Sequence, residues 1–406
     1  MSKTRIIVGP IPEPNELVGR EQFIANLWRQ LDGNNVLLLA PRRFGKSGVM
    51  RHILLRPQNG FLPIYLNVED VDSPEEFVWR ITRALLLHDR WRAFLAKARH
   101  APRKLQAWFQ DTFDEIEFSD AKVTFKASVA EDWREVARRL LASLETAPER
   151  AIILLDELPS MLERLIEVQG EKPAKDFLGW FHTVRISQKE NLRRHRFVVA
   201  GSIGVDQVLR KLGASDKLND FIRLYVEPIA RSDAEQLVAA LAESIDSGIT
   251  ADLRGQIIDA IGLPVPYFIH LFFSELAQVP AQERRNPDSA LIERVYRDRV
   301  QGKSCKRYFD HYRERLRRFG ADGERAAMAI LSQVATAPTG CVSESALFAL
   351  YKNKRKRGWS EAEFTEVIND LECDWYLVRD PNTNEYYFLV KVMADWWRRW
   401  FARAPR

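Results

Sequence analysis

Five short apolar runs, separated by stretches of helical periodicity, organise the first 230 or so residues of this chain. "NVLLLA" (35–40), "FLPIYLNVED" (61–70), "AIILLDELP" (151–159), "HRFVVAGSIG" (195–204) and "RLYVEPI" (223–229) each read as a buried strand. A helical pattern runs from Lys46 through "SGVMRHILL", and Ser73, followed by Pro74 and Glu76, marks the start of another helix. Apolar strands alternating with helices predict a parallel sheet covered on both faces. Between Lys46 and Asp156 the chain is longer than one crossover needs. The surplus, about 90–130, holds a basic aromatic stretch and then "IEFSDAKVTFKAS", a predicted hairpin turning at Ser119–Asp120.

Past about residue 230 the strand signal stops. "SDAEQLVAALAESI", "ADLRGQIIDAI" and "PYFIHLFFSELAQV" predict three helices. From about 320, "GERAAMAILSQVA", "SESALFALY" and "SEAEFTEVINDLE" precede two β-rich runs around a Pro-Asn-Thr-Asn turn, and three helices with a hairpin predict a winged helix. The expected organisation is an α/β core over 1–229 with the 90–130 insertion, a helical lid and linker over 230–319, and a winged-helix domain over 320–406.

Composition narrows the class without naming the chemistry. Of the 406 residues 46% are hydrophobic and 29% charged, and no apolar run is long enough for a membrane span or a signal peptide, so a cytoplasmic protein is expected. Three dispersed cysteines (305, 341, 373) and seven histidines form no zinc or redox spacing. Any metal would therefore arrive with a ligand. The net charge of +5 lies entirely from residue 301 onward, where 19 lysines and arginines stand against 14 acids.

The chemistry concentrates in "APRRFGKSG" (40–48), which follows a strand and opens a helix. Such a loop turns backbone N–H groups and a helix N-terminus toward phosphates. Pro41, Arg42, Arg43, Phe44, Gly45, Lys46, Ser47 and Gly48 are its candidate lining. Lys46 would supply a mobile charge to the terminal phosphates, and the Ser47 hydroxyl would ligate Mg²⁺. Ala40 stands where the usual pattern has its first glycine, at a strand end that alanine can occupy extended. Asp156, at the end of "IILLD", is the second candidate metal ligand, with Glu157 as the base that polarises an attacking water. Ser202, ending a further strand, is a candidate contact to the last phosphate or to that water.

The set "LVGRE" (17–21), "APRRFGKS" (40–47), "LLDE" (154–157), "AGS" (200–202) and "GLP" (262–264) resembles the AAA+/STAND division of P-loop ATPases. It is most similar to the archaeal-type ATPases of prokaryotes, which are related to origin-recognition initiators. The likeness spans about residues 14–280, with a looser match in the C-terminal winged helix. It implies a P-loop NTPase core with a helical lid, ATP and Mg²⁺ as cofactors, and hydrolysis, since the Asp-Glu pair is intact. It also implies that Val18, Gly19, Arg20 and Pro264 flank the adenine. No arginine finger is assigned; Arg210 and Arg223 follow the Ser202 strand.

Two partner classes fit the basic C-terminal quarter. "YKNKRKRGWS" (351–360) and "ADWWRRWFARAPR" (394–406) could contact DNA phosphates, with Trp396, Trp397 and Trp400 stacking on bases. The same tryptophans have the spacing of a helix face packed on a core. Glu361, Glu363, Glu366, Asp370, Glu372 and Asp374 on the expected recognition helix oppose DNA, leaving a protein partner or self-association as the other class. The functional expectation is an ATP-driven switch, with a DNA-binding initiator or loader and a nucleotide-binding scaffold for an effector as alternatives.

Overall fold

The computed structural model describes residues 4–91, 113–117, 122–125, 133–144, 149–186, 194–201, 204–355 and 360–402. By contacts they divide into two compact units. One unit comprises residues 21–40 and 46–226, and the other residues 1–20, 41–45 and 227–406.

The first unit contains, in order, α1 (Glu21–Leu31), β1 (Asn35–Leu39), α2 (Lys46–Leu55), β2 (Phe61–Asn67), α3 (Pro74–Leu87), β3 (Phe113–Glu117), β4 (Lys122–Phe125), α4 (Trp133–Leu144), β5 (Arg150–Asp156), α5 (Leu158–Gln169), α6 (Glu171–Ile186), β6 (Arg196–Gly201), α7 (Val205–Lys211) and β7 (Phe221–Tyr225). Five of these strands form one parallel sheet in the order β2-β5-β6-β1-β7. Val36 to Leu39 of β1 and Ala151 to Leu155 of β5 are solvent-excluded. Strands buried on both faces carry continuous apolar runs for that reason, and all five expected strands are present. The fifth is corrected by β7, which covers Phe221–Tyr225 at the sheet edge and is largely exposed, with Ile222 and Tyr225 facing solvent.

Ser73 caps α3 as expected, its hydroxyl accepting from the Glu76 N–H at 3.1 Å. The strands of the expected hairpin, β3 and β4, pair antiparallel. The turn at Ser119–Asp120 lies outside the described residues. On α6, Arg185 is fully buried, donating both Nε and Nη2 to Asp220 at 2.8 Å and lying over the rings of Phe181 and Phe221.

The second unit contains α8 (Arg231–Ser244), α9 (Ala251–Ile261), α10 (Pro266–Leu276), α11 (Ala281–Arg285), α12 (Ser289–Arg294), a π-helical turn (Val295–Val300), α13 (Arg307–Arg315), α14 (Gly320–Thr336), β8 (Cys341–Ser343), α15 (Glu344–Arg355), α16 (Glu361–Cys373), β9 (Leu377–Arg379), β10 (Glu385–Phe388) and α17 (Lys391–Trp400). The three helices expected after residue 230 are α8 to α10. Helix α10 is apolar nearly all round and buried, as a central helix must be. No single helix among the described residues is long and apolar enough to cross a membrane.

Helices α14, α15 and α16 accompany a three-stranded antiparallel sheet in the order β8-β10-β9. The expected three helices and hairpin are there, joined by β8, which the sequence pattern did not reveal. Trp396 and Trp397 of α17 are fully buried, and Trp396 stacks on Phe309 of α13 at 5.4 Å. Their stacking on nucleic-acid bases, one of the two expectations for them, is thereby excluded; they are core residues. Asp370 and Asp374 are buried as well, Asp374 within ion-pair distance of Arg315 and Arg318.

One titration is built into the parallel sheet. The Ala151 N–H donates to His195 Nδ1 at 2.8 Å, and burial, with Arg194 next in weight, pushes the imidazole down to about 4. The unfolded chain takes up this proton near its ordinary value, so the His195 contribution to stability is complete above about 6.5 and falls as pH drops toward about 4. His270, also pushed down to about 4 by burial, adds the same sign. Urea unfolding between pH 8 and 5 should show stability falling by about 1 kcal/mol per pH unit per such group below pH 6, with a shallower fall in His195→Gln.

Candidate functional site

In the first unit the site begins where β1 ends. Ala40 is the next residue and is solvent-excluded. Its carbonyl accepts from Lys46 Nζ at 2.5 Å, and Lys46, the first residue of α2, is itself buried at 6% exposure. Alanine in place of the glycine therefore packs into the core while its backbone still serves the lysine. Ser47 follows on the first turn of α2, and its hydroxyl donates to Asp156 Oδ2 at 3.2 Å.

Asp156 is the last residue of β5, paired in register with Asn67 on β2 and Ala200 on β6. Its Oδ2 also accepts from the Tyr65 hydroxyl at 3.0 Å. Its Oδ1 is buried without a hydrogen-bond partner. Burial, and then the charge of Glu157, push this carboxyl above the usual range for aspartate. A buried oxygen without a donor is costly, and a divalent cation would relieve that cost. Carboxylate and hydroxyl oxygens are the hard donors that Mg²⁺ takes, so Ser47 and Asp156 fit such an ion. Among the described residues no three His, Cys, Asp or Glu side chains group into a metal site.

Glu157 adopts the left-handed conformation, φ 64° and ψ 38°. Its N–H donates to the Ala200 carbonyl at 3.0 Å and its carboxylate accepts from Ser160 Oγ at 3.3 Å. That backbone region costs a side-chain-bearing residue about 1–2 kcal/mol, and such strain collects at functional positions. Ser202 lies outside the described residues. Arg223 is held by two bonds to Asp206, at 2.6 and 2.7 Å, so its guanidinium is already engaged.

Gly48 is buried on α2 of the first unit, whereas Pro41 to Gly45 belong to the second. Pro41 is buried, and the Arg42 carbonyl accepts from the Tyr312 hydroxyl at 3.2 Å. Arg43 is left-handed at φ 73°, with its guanidinium 4.7 Å from the centre of the Tyr267 ring. Phe44 is 1% exposed and meets Trp375 edge to face at 5.3 Å. Gly45 has φ 100°, open only to glycine without strain, and a Cβ placed there would meet no atom within 4 Å. The loop is thus open at Gly45, where a ligand would approach the backbone.

Arg20, expected beside a base, has its guanidinium on two backbone carbonyls of the second unit. It is 5% exposed and donates to the Glu227 carbonyl at 2.6 Å and to the Phe44 carbonyl at 3.1 Å. Desolvation brings its guanidinium down to about 10. It braces the loop from behind. Gly19 is required where it stands, because at φ 66° a Cβ would come within 2.8 Å of Asp233 Oδ2. The Pro264 carbonyl accepts from Ile229 N–H at 3.1 Å, and Val18 is half-buried, next to Gly19 in sequence.

Sequence reasoning missed Tyr65, Tyr267, Tyr312 and Trp375. A signal existed for Tyr65, a polar-tipped residue two positions before Asn67 in an otherwise apolar strand. The others act across long sequence separations. In the C-terminal region, Arg398 bonds to Asp395 and the Ala335 carbonyl, Arg399 to the Arg297 carbonyl, and Lys391 to Asp395 and the Ala260 carbonyl. Much of the basic character of α17 is therefore spent inside the unit. Arg357 and its neighbours 356–359 lie outside the described residues.

The strain at Glu157 has a measurable consequence. Glu157→Gly should raise the free energy of unfolding by about 0.5–1 kcal/mol, since glycine adopts this conformation freely while losing more chain entropy. Chemical denaturation of the two proteins checks it; unchanged or reduced stability would show that the residue is not strained.

No protein-family model matches the sequence, and no curated protein matches it. Solved structures do share its fold. A Walker-type ATPase of Pyrococcus abyssi aligns with a TM-score of 0.66 at 17% identity, over 97% of this chain and 99% of that one. The ORC2 protein of Aeropyrum pernix, solved as ADPNP–ADP complexes, aligns with a TM-score of 0.52 at 12% identity, over 97% of each chain. The chain therefore has the fold of Walker-type ATPases and of ORC-type proteins, an α/β core on a parallel sheet continued by helical regions.

Proposed function

We propose that the chain is an ATPase of the AAA+/STAND kind, a switch that couples turnover of Mg-ATP to a change of conformation and to engagement of a partner. The observation that carries this reading is the junction of Ser47 and Asp156, the phosphate-loop hydroxyl and the buried strand-end carboxylate sharing one hydrogen bond. Ser47 and Asp156 would hold Mg²⁺, which neutralises phosphate charge when bound. Lys46, now on the Ala40 carbonyl, would exchange that acceptor for phosphate oxygens. Glu157 would orient and polarise the attacking water, and Ser202 would contact the terminal phosphate. Gly45 and its neighbours would offer backbone N–H groups, and Val18, Gly19 and Pro264 would line the base. Of the two structural neighbours, one is an ATPase and the other was solved with adenine nucleotides, which supports this reading.

On the same reading, α8 to α10 form a lid and the elements from α14 to α17 a winged helix. A protein partner or a second copy of the chain is the leading target. DNA is the second, and one observation favours it more than the sequence did. Of the six acids expected to repel DNA, Asp370 and Asp374 are buried and Glu363 accepts from the Ser360 N–H in a capping box. A salt titration of duplex binding with and without ATP separates the two targets.

Two substitutions separate binding from turnover. Lys46→Ala should reduce ATP affinity by at least about 100-fold, the scale of removing a charged phosphate contact. Glu157→Gln should keep ATP affinity within about threefold and lose at least about 100-fold in hydrolysis rate, in line with the loss of a general base. Equilibrium nucleotide binding and phosphate release measure the two steps, and wild-type-like hydrolysis in both variants would sink the assignment.

A further inference from the structure

The phosphate loop is gripped from outside by residues far along the chain. Tyr312, on α13, is 3% exposed and points its hydroxyl at the Arg42 carbonyl. Burial pushes that phenol well above its ordinary range, so it stays protonated and donates. Tyr312 is itself fixed, since the buried Tyr376 hydroxyl donates to its carbonyl. Beside Tyr376, Trp375 sits in the left-handed region at φ 60° and presents its ring to Phe44, while Asp374 is paired with Arg315 and Arg318. Arg20 takes the Phe44 carbonyl.

These contacts act on peptide planes. In a trans peptide the carbonyl of one residue and the N–H of the next point in opposite directions, and the described chain has no cis bond. Fixing the Arg42 carbonyl on Tyr312 turns the Arg43 N–H the other way, and fixing the Phe44 carbonyl on Arg20 does the same for the Gly45 N–H. Backbone N–H groups that converge on one side of a loop, with a left-handed residue among them, make an anion-binding concavity. Arg43 can hold the left-handed backbone that such a concavity uses because Tyr267 supports its side chain.

We infer that Tyr312, with Trp375 wedging Phe44, is a positioning residue for the phosphate loop, orienting the Arg42–Arg43 peptide so that its N–H is ready for phosphate. The C-terminal half of the chain thus supplies the outer wall of the loop, and ATP affinity depends on a residue some 270 positions away. This rests on the ATP-binding reading above and adds a residue that no motif contains.

The test compares Tyr312→Phe with Tyr296→Phe in the whole chain. Tyr296 also buries a hydroxyl, which donates to Asp395 of α17 at 2.7 Å rather than to the loop. One neutral hydrogen bond is worth about three- to tenfold in affinity. Tyr312→Phe should raise the Kd and KM for ATP by that factor and leave kcat within about twofold. Tyr296→Phe should lower the thermal midpoint without moving either constant. ATP should also change the tryptophan emission of the wild type, and Trp375→Phe should remove most of that change, which keeps the inference testable if Tyr312→Phe does not fold. Equal ATP affinity in Tyr312→Phe and wild type, or equal losses in the two tyrosine variants, overturns the positioning role alone. Absence of ATP binding by the wild type overturns the ATPase reading and the inference with it.

Discussion

The parallel pairing of β5 between β2 and β6 sets the position of Asp156, the buried carboxylate that Ser47 and Tyr65 both reach. Both neighbours pair with Asp156 in register, so its carboxylate is fixed at the strand end with little freedom to retreat into solvent. From Ala151 to Leu155, β5 is apolar and excluded from water, and that burial stabilises the sheet. The cost appears at the last residue, where one oxygen is shared by Ser47 and Tyr65 and the other has no donor. The same pairing brings the Ala200 carbonyl to the Glu157 N–H, and Glu157 turns left-handed there to open α5.

The second unit shows the complementary arrangement, in which carbonyls rather than a carboxylate are fixed. Tyr312 and Arg20 each take one carbonyl of the loop, and Phe44 is driven into the apolar interior against Trp375. Three side-chain-bearing residues, Arg43, Glu157 and Trp375, hold left-handed backbones at these places. Each carries strain that the surrounding contacts outweigh.

The sheet was legible in the sequence because strands buried on both faces must be apolar, and short apolar runs set between helices suit little besides a covered parallel sheet. The meeting of Ser47 with Asp156 was legible because a Gly-Lys-Ser loop after a strand and an acid at a strand end have local signatures. The backbone contacts of Arg20 were not. A motif places an arginine near a nucleotide but does not say whether its guanidinium faces the ligand or the backbone behind it. Strand β8 is three residues long and carries no periodicity to detect. Tyr312 and Trp375 had no signal at all, since nothing in a single sequence pairs residue 312 with residue 42. Trp396 and Trp397 of α17 had two readings, and burial against Phe309 and Phe401 selects the core.

The grouping of residues 41–45 with residues 227–406 has a topological consequence. The chain passes between the two compact units at 20/21, 40/41, 45/46 and 226/227, so neither unit is a continuous segment of polypeptide. A cut after residue 226 would yield a fragment that keeps the phosphate-loop sequence and loses Glu227, Tyr267, Tyr312 and Trp375 together. The loop is thus not portable with its own strand and helix. The backbone of residues 41–45 is held by side chains that lie far along the chain.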